Sequence, residues 1–233
     1  MDTTKPVLVI GASRGIGFAL AEELIRQGRQ VITISRTGSG PKGVQEHVIA
    51  DVVKDGLPSD RLPTGLSGMA YCPGSMMLKP VRSITREDVL AALETDLVGA
   101  FTSARAVHPL LKQVPGSGMV FFSTVAVGQG MPFHATVAMA KGGLEGLVRA
   151  LAAEFAPSVR VNAVAPSLTD TPLADRLLAN EERRRASAER HPMKRVGTVM
   201  DIAAAAAFLL SPNATWITGQ VLAVDGGLST LRP

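Results

Sequence analysis

Short runs rich in β-branched and aliphatic residues alternate along the chain with longer stretches whose apolar positions recur at helical spacing. The short runs predict strands at Val7 to Ile10, Gln30 to Ile34, His47 to Ala50, Ser67 to Cys72, Met119 to Ser123, Arg160 to Val164 and Val221 to Val224. The longer stretches predict helices near Ile16 to Gln27, Arg86 to Leu93, Leu97 to Leu111, Ala135 to Glu154, Leu173 to Ala188 and Asp201 to Leu210. Strands separated by helices make parallel pairs with crossover connections. The expected fold is therefore α/β, a doubly wound parallel sheet of about seven strands with helices on both faces. One crossover is too short for this rhythm. The segment from Val52 to Pro63 is polar and broken by Pro58 and Pro63, which predicts a loop or a single turn before the fourth strand.

Composition narrows the class. Of 233 residues, 46% are hydrophobic and 19% charged, a balance that excludes a disordered chain, and no linker or repeat divides it. A single domain over residues 1–233 is expected. One cysteine, Cys72, excludes an internal disulfide framework and fits a reducing compartment. No apolar run reaches the roughly 18 residues of a bilayer span, and the charged, proline-containing start from Met1 to Pro6 does not read as a signal peptide. A cytoplasmic protein with no membrane partner is expected. The net charge of +4 is modest and its Lys and Arg are interleaved with Asp and Glu, so no nucleic-acid partner is expected either. No cluster of residues suggests a metal site.

The first strand runs directly into Gly11-Ala12-Ser13-Arg14-Gly15-Ile16-Gly17, which opens a helix. Glycines there let the backbone approach a pyrophosphate, whose charge is stabilised by free N–H groups at the helix N-terminus. Strand, glycine loop and helix in that order predict dinucleotide binding on a Rossmann-type sheet. The second strand ends in Ser35-Arg36-Thr37, without the acidic residue that would bind a ribose 2′-hydroxyl. Arg36 and Arg14 instead offer positive charge to a 2′-phosphate, which predicts NADP(H) as cofactor.

The Gly-x3-Gly-x-Gly spacing resembles that of the short-chain dehydrogenase/reductase family, and the likeness continues along nearly the whole chain. It includes the glycine turn at Gly74, Ala140-Lys141-Gly142, Arg160-Val161-Asn162-Ala163-Val164-Ala165-Pro166, Ile217-Thr218-Gly219-Gln220 and Val224-Asp225-Gly226-Gly227. The resemblance implies a nicotinamide-dependent oxidoreductase acting on a small-molecule substrate and assembling as a homodimer or homotetramer. It also implies cofactor contacts from Gly11, Ser13, Arg14, Gly15, Ile16, Gly17, Arg36, Asp51, Val52, Gly74 and Lys141. On the nicotinamide side it implies Pro166, Thr169 and Thr171, although Ser167 replaces the glycine of the family's Pro-Gly pair.

The family's catalytic set is broken here. Its lysine matches Lys141, but its tyrosine position, four residues earlier, is Val137, which exchanges no proton. Its serine position falls on Thr124, with Ser123 beside it, and its asparagine position on Asp96. Thr124 can orient a substrate oxygen. Asp96 can form a salt bridge with Lys141 or act as a base. His134, seven residues before Lys141, occupies the offset at which the enoyl-reductase branch of the family carries its tyrosine. Its imidazole can donate a proton near neutral pH, or simply cap or border the helix that follows. The only phenol, Tyr71, is expected to pack against the cofactor's adenosine or ribose, and Cys72 to fill the core. Residues 171–196 are expected to cover the substrate as a lid, with Leu173, Leu177 and Leu178 beneath and the Arg183 to Arg185 run on a solvated face. Two functions follow. One is an NADP(H)-dependent oxidoreductase for a carbonyl, alcohol or enoyl substrate with an atypical proton relay. The other is an inactive NADP(H)-binding sensor, regulator or oligomer partner.

Overall fold

The computed structural model describes residues 2–38 and 40–232, so Met1, Ser39 and Pro233 of the expected 1–233 domain lie outside the described residues. Seven parallel strands form one sheet in the order β3-β2-β1-β4-β5-β6-β7. They are β1 (Val7–Ile10), β2 (Val31–Ser35), β3 (Glu46–Ile49), β4 (Gly68–Tyr71), β5 (Ser117–Phe122), β6 (Val159–Pro166) and β7 (Val221–Val224). Alternation along each strand divides the core into two layers. Leu8, Ile10, Ile32, Ile34, Met69 and Met119 pack under α3 (Gly99–Lys112) and α4 (Ala135–Phe155). Val7, Val9, Val31, Ala70 and Val120 pack under α1 (Gly15–Arg26) and α6 (Val199–Leu209). Ala203, Ala206 and Ala207 of α6 are fully buried against the layer that holds Ala19 and Ala21 of α1. The alanine run thus serves a close helix-to-helix approach.

Two segments depart from the sequence pattern. The α2 helix (Arg86–Leu93) does not end before α3; one π-helical turn over Glu94–Val98 joins them. In the other direction, the expected helix from Leu173 to Ala188 is broken. A 3₁₀ turn at Pro172–Ala174 is followed by irregular chain, and only Glu181–Glu189 forms α5. Asn180 starts that helix afresh, its side chain accepting the N–H of Arg183. The short crossover before β4 holds only a 3₁₀ turn at Ser59–Arg61, as its prolines predict.

Strand order reverses at β1, which has β2 on one side and β4 on the other. A crevice outside the carboxyl ends of the strands opens at such a point. No described helix is long and apolar enough to cross a membrane.

Candidate active site

At that reversal lies a cleft of about 570 Å³. Its floor is the turn from β1 into α1. Gly11 has a φ of +84°, a left-handed conformation that favours glycine, and a Cβ on it would stand 2.9 Å from the nitrogen of Pro73. A Cβ on Gly17 would collide with the carbonyl oxygen of Gly11 and come within 3.0 Å of Cys72 Cβ. Both glycines let the loop fold tightly beneath the cleft and leave the start of α1 open to it. The first turn of α1 carries no acidic residue, and no side chain caps it. Its N–H groups and the adjoining positive end of the helix are thus free for an anion.

Gly11, Ser13, Arg14, Gly15, Ile16, Gly17, Arg36, Asp51, Val52, Gly74 and Thr171 all line this cleft. Arg14 and Arg36 are exposed, and neither is in a salt bridge with another described residue. Across from the glycine loop, Thr171 and Pro172 would stand 3.9 Å from a Cβ on Gly15. The structure does not bring three expected cofactor residues to the cleft wall: Lys141, which lies behind Gly74, and Pro166 and Thr169. Thr169 is buried, donating its hydroxyl to the Ser167 carbonyl at 3.1 Å and pairing with Gly197, and Pro166 ends β6 behind it. Asp51 lines the cleft while its Oδ1 accepts the Val53 N–H at 3.2 Å, fixing the turn after β3.

The inner end of the cleft meets a buried charge pair. Lys141 Nζ lies 2.6 Å from Asp96 Oδ1, and the two side chains are 10% and 1% exposed. The Ser75 hydroxyl donates to Asp96 Oδ2 at 2.5 Å, and the Ser75 N–H donates to the same carboxylate. A Cβ on Gly74 would be 3.2 Å from Asp96 Oδ1 and 3.5 Å from Lys141 Nζ, which sets the pair against a cleft-lining residue. The π-helical turn delivers Asp96 here, since the wider turn carries its carboxylate inward from the α2–α3 rod. Ser75 had no signal in the sequence, because its partner is 21 residues away and only the fold joins them.

Thr124 stands at the start of a 3₁₀ turn, Val125–Val127, and its hydroxyl oxygen accepts the Ala126 N–H at 3.2 Å. That turn packs on α4 one residue beyond Lys141, where a Cβ on Gly142 would be 3.8 Å from Val127 Cγ1. Ser123 is committed elsewhere, donating to Glu145 Oε1 at 2.7 Å. His134 immediately precedes α4, and its Nδ1 lies 2.7 Å from the Pro132 carbonyl, so Nδ1 is the protonated nitrogen. No hydrogen bond among the described residues joins His134 to the Asp96–Lys141 pair. Val137 is buried in the first turn of α4.

Tyr71 is not at the cleft. It is 2% exposed in the core beside Phe121, and its hydroxyl donates to the Thr95 carbonyl at 2.8 Å. Burial, reinforced by the charges of Asp96 and Asp51, pushes its phenol well above the ordinary range. The expectation that it packs against the adenosine is corrected: the side chain of the last β4 residue points into the α3/α4 layer and buttresses the π-helical turn. Cys72, expected in the core, is instead half-buried on the cleft wall against Gly17, where desolvation pushes its thiol up although the Lys141 charge opposes this.

A doubly wound sheet with a glycine cradle at its switch point defines a dinucleotide-binding protein. Comparison with known proteins gives the family. A family model described as enoyl-(acyl carrier protein) reductase matches residues 60–229, and one described as short chain dehydrogenase matches residues 5–55. A tropinone reductase homolog of Arabidopsis thaliana is 36% identical over 95% of this chain and 92% of its own. The ligand-free aldohexose dehydrogenase of Thermoplasma acidophilum superimposes with a TM-score of 0.90 at 28% identity, covering 99% of this chain and 96% of that one. A glucose/ribitol dehydrogenase from Brucella melitensis gives 0.87 at 27% identity, with 97% of each chain covered. The chain belongs to the short-chain dehydrogenase/reductase family, whose members are nicotinamide-dependent oxidoreductases.

Proposed function

We propose that the protein is an NADP(H)-dependent oxidoreductase that interconverts a small carbonyl or enoyl substrate with its reduced form. The carrying observation is the buried Lys141–Asp96 pair at the inner end of an intact glycine cradle. The cradle fits a dinucleotide on its own geometry, since the tight packing that Gly11 and Gly17 permit beneath the loop leaves the uncapped start of α1 facing the cleft. Arg14 and Arg36, without salt-bridge partners among the described residues, supply guanidinium groups beside it for a 2′-phosphate, and Asp51, Val52 and Gly74 would hold the rest with Lys141 behind Gly74. When bound, the nicotinamide supplies or accepts the hydride.

The chain's own residues then have to manage one proton. With Val137 in place of a phenol, we assign Lys141 Nζ, which stands behind the cleft-lining Gly74, as donor to the substrate oxygen in the reducing direction. Thr124 orients that oxygen by hydrogen bonding. Asp96 holds the lysine amine in position through the 2.6 Å contact, while Ser75 holds the carboxylate in place. His134 borders α4 and takes no direct part. Residues 171–196 act as the lid, with Thr171, Pro172 and Leu173 at the cleft and the Arg184–Asp170 ion pair, 2.7 Å long, tying α5 to its hinge.

The test is turnover of NADPH across ketones, aldehydes and enoyl thioesters by the wild type, Lys141→Ala and His134→Ala. Substrate-dependent oxidation that falls about 10²-fold or more in Lys141→Ala and less than about threefold in His134→Ala is expected. Tight NADPH binding with no turnover on any substrate would overturn the enzyme reading and leave a binding protein.

A further inference from the structure

The turn after β2 carries Arg36 and Thr37 to the cleft, yet what fixes this turn is a residue of the neighbouring strand. His47 of β3 is the register partner of Thr33 on β2, and Thr33 and Ser35 project to the same face of the strand. The Thr33 hydroxyl lies 2.8 Å from His47 Nδ1. On the other side of the ring, Nε2 lies 2.9 Å from the Thr37 carbonyl, which also accepts the Ser35 hydroxyl at 2.7 Å. A carbonyl only accepts, so Nε2 carries a proton and donates it to Thr37, while the Thr33 hydroxyl bridges Nδ1 and the Glu46 carbonyl, 3.4 Å away. The Ser35 hydroxyl oxygen lies 3.3 Å from Nε2 as well, so the ring is held from both sides. Gly40 lies against the same ring: a Cβ on it would stand 2.6 Å from Nδ1 and 3.2 Å from the Thr33 hydroxyl oxygen. The imidazole is thus the peg around which the turn is wound.

This arrangement has a consequence for charge at the cleft. Thr37 lines the cleft, and its carbonyl oxygen, left free, would be an electronegative group beside any bound phosphate. Two donors commit that oxygen to the peg, and the Arg36 guanidinium on the adjoining residue remains without a salt-bridge partner among the described residues. We propose that His47, which does not itself line the cleft, is a positioning residue for cofactor choice: it sets the Arg36–Thr37 turn in the form that accepts a ribose 2′-phosphate. The inference rests on the NADP(H) reading above.

Equilibrium binding of NADPH and NADH to the full-length protein, measured by titration calorimetry, tests it with no reaction required. In His47→Ala the preference for NADPH over NADH is expected to fall about tenfold, with NADH affinity changed less than about threefold. His47→Gln keeps an amide donor for the Thr37 carbonyl and is expected to retain most of the preference. Gly40→Ala, which displaces the ring without removing it, is expected to lose the preference as His47→Ala does. An unchanged NADPH-to-NADH ratio in His47→Ala and Gly40→Ala would overturn the inference, and so would equal weakening of both cofactors, the mark of a merely structural residue. A wild type with no preference for NADPH would overturn the cofactor reading and the inference with it, whereas a wild type that prefers NADPH beside indifferent variants overturns the inference alone.

Discussion

A lysine and an aspartate taken out of water hold each other's charge, and removing one leaves the other stranded. Asp96 is 1% exposed and has Lys141 and Ser75 as partners, so Asp96→Ala leaves an unpaired ammonium in the interior. Breaking such a pair costs about 3–5 kcal/mol, whereas replacing both members with apolar residues of similar volume is often close to neutral. Urea unfolding is therefore expected to show Asp96→Ala destabilised by about 3 kcal/mol and the double variant Asp96→Leu, Lys141→Met recovering most of that loss while remaining inactive. Equal destabilisation of both would mean that the pair's charges are not the cause. At the neighbouring position, Val137 lies one helical turn before Lys141, on the same face of α4. Val137→Tyr puts a phenol beside the lysine and is expected to raise the turnover number by about tenfold or more, at a packing cost of about 1–3 kcal/mol. A turnover number that stays level or falls in a folded variant would argue that Lys141 already supplies all the acid the reaction uses.

Helices and strands differ in how plainly the sequence announces them, and the site inherits the difference. The glycine cradle was legible because its chemistry is local: strand, loop and helix are consecutive, and Gly11 to Gly17 carry the signature within one turn. Asp96 was legible as a candidate, but its pairing depends on a π-helical turn, and no periodicity in Glu94-Thr95-Asp96-Leu97-Val98 distinguishes that turn from a gap between two helices. The segment after β6 shows the opposite error. Leu173, Leu177 and Leu178 recur at helical spacing, yet a 3₁₀ turn and irregular chain satisfy the same spacing, and the fresh cap at Asn180 was the available sign of a second start. Ser75 and His47 had no local sign at all, being partnered across 21 and 14 residues of chain. Caps are local enough to test. Asp201 in the first turn of α6 accepts from Arg195 and from the N–H and hydroxyl of Thr198, and these bonds, led by that from Arg195, hold its carboxyl well below the usual range. A depressed folded-state pKa contributes stability above the unfolded value near 3.9 that is lost as pH falls further, through the folded value. Asp201→Asn is expected to be about 1 kcal/mol less stable than the wild type at pH 7, with the gap narrowing below about pH 4. Thermal unfolding over that range checks it, and a gap independent of pH would assign the loss to packing.

The whole molecule couples these elements through one cleft, because its floor belongs to β1 and α1, its far wall to the segment after β6, and its inner end to α4 and the π-helical turn. A ligand seated there touches the folded protein at all three and the unfolded chain at none, so binding must appear as stability. At 100 times its dissociation constant a ligand adds about 2.7 kcal/mol, which for a domain of this size is a rise of about 5–10 °C in melting temperature. NADPH is expected to give such a shift, and NADH at the same concentration a clearly smaller one because it offers nothing to Arg14 and Arg36. Gly17→Ala discriminates binding in this cleft from binding elsewhere. Its new Cβ would meet the Gly11 carbonyl and Cys72, forcing the cradle open, so the variant should melt lower than the wild type and lose the NADPH shift. A variant that melts lower yet keeps the full shift would place the cofactor outside the glycine cradle, and the charge pair at its inner end would then have no hydride within reach.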